Sequence, residues 1–171
     1  MRIPYALFVY DDKEIEAVAR VLKEKRSLMG SETRLFEEAI SKIFGKKYGV
    51  MVNSGSSANL LAVEIINLPE GSEVITPVLT FATTVTPLLQ KRLIPVFVDV
   101  EPSTYQIDIN QIEAALSDRT RALFIPSLLG NVPNLEILAK LAAKHNLIFV
   151  EDSCDTLGAT FRGMPTGCFS D

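Results

Sequence analysis

Apolar and polar positions along this chain recur with two different periods, and the period changes from segment to segment. Ile15, Val18, Ala19 and Leu22 fall at helical spacing, with Asp12 as the predicted cap. Leu35, Phe36, Ala39, Ile40 and Ile43 repeat that pattern between a predicted cap at Ser31 and a predicted stop at Gly45. Short runs rich in β-branched residues follow at 48–52, 74–76, 94–98, 122–125 and 147–150, and each predicts a strand. Helix-length segments lie between them near 57–67, 83–91, 109–117 and 134–145. Asp108 with Gln111 resembles a capping box for the segment 109–117. Asn134, just after Pro133, predicts the cap of the last helix.

Alternation this regular predicts βαβ units: an α/β fold with a mainly parallel sheet covered on both faces. Ligands of such sheets bind beyond the carboxyl ends of the strands. The segments expected there are 54–59, 77–84, 99–108, 127–131 and 151–158. A length of 171 residues suits one domain with a real core, and no repeat or linker divides it.

The remaining bulk features mainly exclude. A net charge of −4 gives no reason to expect nucleic acid as a partner. No apolar run is long enough to span a bilayer, and the first residues have no signal-peptide core. Two cysteines, Cys154 and Cys168, are too few for a disulfide scaffold. The expected location is the cytoplasm, with no membrane partner.

The segment 53–59, Asn-Ser-Gly-Ser-Ser-Ala-Asn, joins a predicted strand to a predicted helix. Unpaired N–H groups, serine hydroxyls and the helix dipole make such a turn a phosphate cradle. It matches neither the Walker loop nor the dinucleotide pattern, and a plain helix cap by Ser56 or Ser57 is the alternative. Phe81, in Thr80-Phe81-Ala82-Thr83-Thr84, is placed either to stack on a flat heterocycle or to sit in the core. Glu151 and Asp152 end an apolar strand, where a carboxylate needs a partner. A protonated pyridine nitrogen is one such partner; a cap, a salt bridge at the sheet edge or a divalent metal are others, and no histidine cluster supports the metal. His145 is the one histidine and stands at a helix end, where the dipole favours a cation. Cys154 and Cys168 read as small structural hydrophobes. None of the lysines is placed to form a desolvated Schiff base.

Taken together, these residues resemble the DegT-type nucleotide-sugar aminotransferase family of the aspartate-aminotransferase fold. The marks are Phe36-Glu37-Glu38, the Ser54–Asn59 turn, Glu73 to Pro77 with Thr80-Phe81, and Pro95 to Val100. Further marks are Thr120-Arg121-Ala122, Leu129-Gly130-Asn131, and Glu151-Asp152 with Gly158. The resemblance implies the N-terminal part of a three-layer sandwich, the large domain of pyridoxal-phosphate-dependent transferases. Residues 1–171 would be the N-terminal segment and cofactor-binding large domain, incomplete at the C-terminus.

The resemblance further implies that Gly55, Ser56 and Ser57 hold the cofactor phosphate, Phe81 stacks on its ring and Asp152 pairs with the pyridine nitrogen. Asp155 stands near the phenolic oxygen, where the aminotransferases usually carry glutamine. That change, Leu129-Gly130-Asn131, and the turn continuing into Leu60-Leu61 resemble the sugar 3-dehydratase branch. Those enzymes remove the C3 hydroxyl of a nucleotide-linked 4-keto-6-deoxyhexose with pyridoxamine phosphate, in lipopolysaccharide O-antigen and deoxysugar synthesis. A histidine replaces their Schiff-base lysine, and either residue is expected beyond Asp171. A homodimer and, for some members, an iron–sulfur cluster and a reductase partner are also implied. The segment 27–30 departs from the family, which often has a tryptophan there. A sugar aminotransferase, a catalytically incomplete fragment and a generic phosphate-binding module are the alternatives.

Overall fold

The computed structural model describes residues 7–25 and 28–171. Ser27, and with it part of the segment 27–30, lies outside the described residues, as do residues 1–6. Two helices come first, α1 (Asp12–Lys23) and α2 (Ser31–Ile43). They are followed by α3 (Gly55–Ile66), β1 (Glu73–Pro77), α4 (Ala82–Gln90), β2 (Ile94–Val98) and β3 (Thr120–Pro126). Next come α5 (Leu135–His145) and β4 (Ile148–Asp152), and a two-residue hairpin pairs β5 (Thr160–Phe161) with β6 (Met164–Pro165).

The sheet has the order β2-β1-β3-β4 and every pairing in it is parallel. Successive side chains of the central strands point to opposite faces, so each strand feeds two cores. Ile75, Leu123, Ile125 and Phe149 pack on one face with Leu135 and Leu138 of α5. Val74, Ala122 and Phe124 pack on the other with Val63 of α3 and Leu88 of α4. Helices therefore cover both faces, and β1 throughout and β3 from Ala122 onward are buried at every position.

The sheet grows from its centre in both directions. The chain leaves β1 through α4 to reach β2 on one flank, and leaves β3 through α5 to reach β4 on the other. The carboxyl ends of β1 and β3 thus flank a topological switch point, where adjoining connections diverge and leave a crevice.

Some expected elements differ in detail. The caps of the first two helices fall one residue early, at Asp11 and Gly30 rather than Asp12 and Ser31; Asp11 accepts from Lys13 N and completes a capping box with Glu14. Gly45 does end α2. It takes φ +66°, with Gly45 N donating to Lys42 O and Lys46 N to Ser41 O, the pair of bonds of a Schellman motif.

The segment 48–52 forms no strand. It has no ladder partner among the described residues, and Met51 N is satisfied instead by Glu37 Oε1 at 2.8 Å. The segment 109–117 is not an α-helix but two 3₁₀ turns, Ile109–Gln111 and Glu113–Ala115. Its inward residues Ile109, Ile112 and Ala115 recur every third position, which matches a helix of three residues per turn. Asp108 caps Asn110 N, and Gln111 donates to the Asp108 side chain rather than accepting from the Asp108 backbone N–H, so the capping box is not closed.

Candidate functional site

A cleft of about 520 Å³ opens at the switch point, within the range of small-molecule sites. Its walls come from the first turn of α3, the segment after β1, the segment after β3 and the end of β4. Five of the six cofactor-binding residues that the resemblance implies line it: Gly55, Ser56, Phe81, Asp152 and Asp155.

Asp152 closes β4, so the parallel ladder itself delivers its carboxylate to the cleft. Oδ2 accepts from Asn59 Nδ2 at 2.8 Å and from Thr84 Oγ1 at 3.2 Å. Oδ1 accepts from Cys154 N at 3.3 Å. Asp155 faces the segment after β3, and its Oδ2 accepts from Leu129 N at 3.0 Å, which tethers that turn. Leu129 itself stands at φ +58° and leads into Gly130 at +76°, so the turn is tightly wound where it meets the cleft.

The first turn of α3 has Ser54 as its cap: Ser57 N donates to Ser54 Oγ at 3.2 Å. The cap is therefore Ser54, not Ser56 or Ser57, because only the residue before the first helical one has the extended backbone a cap needs (φ −163°, ψ 159°). The Ser57 hydroxyl accepts from Ser54 Oγ and does not line the cleft, whereas Gly55 and Ser56 do. A Cβ built on Gly55 would meet no protein atom within 4 Å. The absence of a side chain there serves neither internal packing nor a positive φ, and it leaves open the approach to the helix N-terminus.

Phe81 is 69% exposed, so the core reading of this ring is wrong. It occupies the position before α4, and the extended backbone there turns the ring out at the cleft. Thr80 Oγ1 donates to Thr84 Oγ1 at 2.9 Å, which ties the segment after β1 to the first turn of α4.

The neighbouring Glu151 alternates to the other side of β4 and lines a different, smaller hollow with Lys46 and Ser170. It forms neither a cap nor a salt bridge. Both its carboxyl oxygens are buried without a partner among the described residues, and burial pushes its pKa up to about 7. Cys154 and Cys168 are exposed rather than buried as small hydrophobes. Although the residue is exposed, partial desolvation of its sulfur in the cleft wall and then Asp152 and Asp155 push the Cys154 thiol up to about 12, which leaves it a poor nucleophile. His145 ends α5 with Nε2 3.3 Å from Glu113 Oε1, away from the cleft. Among the described residues no cluster of histidine, cysteine and carboxylate side chains could hold a metal ion. No helix among them is long and apolar enough to cross a membrane.

Three site residues carried no assigned role in the sequence reading: Asn59, Thr84 and Ser127. Asn59 and Thr84 lie inside quoted motifs, but their shared target became visible only with the fold. Ser127 follows the apolar strand 122–126 directly, and a polar residue at that point was the available signal. It is 1% exposed, it lines the cleft, and its hydroxyl has no partner among the described residues. An orphaned hydroxyl, an open helix N-terminus, an exposed ring and a carboxylate form a donor set that fits a phosphorylated aromatic heterocycle such as pyridoxal phosphate.

Comparison with known proteins gives the same direction. The model of the DegT/DnrJ/EryC1/StrS aminotransferase family matches residues 9–171. A dTDP-4-dehydro-2,6-dideoxy-D-glucose 3-dehydratase of Saccharopolyspora spinosa is 41% identical over 171 residues, 95% of this chain and 37% of that protein. A GDP-4-keto-6-deoxy-D-mannose 3-dehydratase of Escherichia coli is 38% identical over 172 residues, 97% of this chain and 44% of that protein. A solved structure of the E. coli GDP-4-keto-6-deoxy-D-mannose-3-dehydratase with bound hydrated PLP superposes with a TM-score of 0.90 at 37% identity, over 95% of this chain and 43% of that one. The chain spans less than half the length of these relatives.

Proposed function

From the premise that this chain belongs to the DegT/DnrJ/EryC1/StrS aminotransferase family, we propose that it is the cofactor-binding part of a pyridoxal- or pyridoxamine-phosphate enzyme. Its substrate is a nucleotide-linked 4-keto-6-deoxyhexose, and its reaction is removal of the C3 hydroxyl. The observation that carries this reading is Asp152, delivered by β4 to a cleft at the switch point and gripped there by Asn59 and Thr84. The identity to two sugar 3-dehydratases supports dehydration.

The cofactor, when bound, supplies an electron sink through its protonated ring. The residues of this chain then bind and orient. Gly55 and Ser56, with the free N–H groups of α3, take the phosphate; Ser57 supports them through its bonds with Ser54. Phe81 covers a ring face, and Asp152 holds the proton on the ring nitrogen. Asp155, already engaged by Leu129 N, shapes the side of the phenolic oxygen. The base that takes the substrate proton is assigned to a residue following Asp171: histidine for dehydration, lysine for transamination. The molecule is proposed to act in the cytoplasm as a homodimer, with a reductase partner in the dehydratase case.

Sugar transamination is the second reading, favoured by the description of the family itself. Incubation of the protein with pyridoxamine phosphate and a GDP- or dTDP-linked 4-keto-6-deoxyhexose separates the two by mass. In the full-length enzyme, net replacement of the C3 hydroxyl by hydrogen is expected, a loss of one oxygen atom from the sugar with the amine of pyridoxamine phosphate released as ammonia; incorporation of an amino group into the sugar identifies a transaminase. Asp152→Ala should bind the cofactor at least about tenfold more weakly, and wild-type binding and turnover in that variant would refute the assignment.

A further inference from the structure

We propose that Asn59 and Thr84 are positioning residues that fix the rotation of the Asp152 carboxylate, an inference that rests on the cofactor-binding reading above. Both amide protons of Asn59 are committed. One goes to Asp152 Oδ2 at 2.8 Å and the other to the Thr83 carbonyl at 3.3 Å. The amide is thereby locked in one orientation. Thr84 is 1% exposed and has a single proton, which goes to the same Oδ2 at 3.2 Å. Its hydroxyl oxygen accepts from Thr80 Oγ1, so the rotor has one setting.

Two side chains from two different helices therefore converge on one oxygen of the carboxylate. Among the described residues the other, Oδ1, receives only the long bond from Cys154 N at 3.3 Å. A carboxylate held in this way presents one particular oxygen, with lone-pair capacity left over, to a protonated ring nitrogen. The cost of ordering it is met in folding rather than on binding. Polar groups in such partly and fully buried places destabilise unless bonded, and the bonds they make here all lead to the Asp152 side chain or to the neighbouring turn of α4.

The test is titration of the purified protein with pyridoxal phosphate, followed by absorbance over a series of pH values. Asn59→Leu removes the amide at similar volume. Thr84→Val removes the hydroxyl, and Thr84→Ser keeps it. Asn59→Leu and Thr84→Val should each weaken binding about tenfold, with Thr84→Ser within about twofold of wild type. The pH at which the bound cofactor changes its absorbance should move in the first two variants and stay in place in Thr84→Ser. A merely structural role would lower the melting temperature and leave that pH unchanged. If Asn59→Leu does not fold, the Thr84 pair decides alone. Wild-type affinity and an unmoved pH profile in the folded variants overturn the inference. A wild-type protein with no cofactor-dependent absorbance change overturns the cofactor-binding reading itself.

Discussion

At Gly55 the demands of the helix and of the cleft oppose one another. The residue opens α3, where alanine would be the better helix former by about 0.5–1 kcal/mol. Its φ is not positive, and a Cβ would meet nothing within 4 Å. Gly55→Ala is therefore expected to leave the free protein as stable as wild type or more so in urea, and to weaken pyridoxal phosphate binding about tenfold. A variant that lost stability and kept its affinity would assign the glycine to the fold and not to the ligand. The placement of Asp152 at a strand end beside the cleft, and of a helix start at 54–59, was legible in the sequence because residue type and strand end sufficed. The bond of Ser57 to Ser54 was not legible, because cap geometry rather than composition decides it. Nor were those of Asn59 and Thr84, whose common partner lies 93 and 68 positions away.

Among elements, α3 and α5 end alike. Asn67 and Asn146 follow their last turns with φ of +45° and +53°, the left-handed conformation that asparagine tolerates better than any β-carbon-bearing alternative. Asn146→Gly should be neutral, and Asn146→Ala should cost about 1 kcal/mol by urea denaturation. Equal stability of the alanine and glycine variants would refute that account. The central strands could be read from the sequence because local chemistry and burial agree there, whereas the segment 57–67 took Asn67 into the helix that it ends. The elements that misled are those where they disagree. The run 48–52 has the composition of a strand but takes its backbone partner from the Glu37 side chain. The run 109–117 has helical length, yet Leu116 is extended (ψ 142°) and Ser117 N turns to Thr120 Oγ1. Partner choice of this kind is a tertiary decision and leaves no period in the sequence.

Over the whole molecule, charge is spent unevenly at the two ends of the sheet. At one, Glu73 begins β1 nearly inaccessible, held below the usual carboxylate range chiefly by the Ser117 hydroxyl at 2.5 Å and then by Arg119. Its contribution to stability is present above its ordinary pKa and is lost only as pH falls through the depressed value. At the other end, Glu151 behaves in the opposite sense. Its folded pKa is raised to about 7 by burial, so the fold favours the neutral carboxyl. The fold is unpenalised below the ordinary carboxylate pKa and loses stability as pH rises through that folded value. Glu151→Gln should match wild type near about pH 4 and exceed it by up to about 3 kcal/mol near about pH 8, measured by urea unfolding. A constant difference across that range would remove Glu151 as the source.

The Asn59–Asp152 hydrogen bond also sets an order of events on the ribosome. The helix that bears Asn59 leaves the exit tunnel 93 residues ahead of the carboxylate it must grip. At about 5–20 residues per second, this is a delay of roughly 5–20 s. The carboxylate is therefore oriented only once β4 has emerged, so this bond cannot guide the packing of α3 and can only follow it.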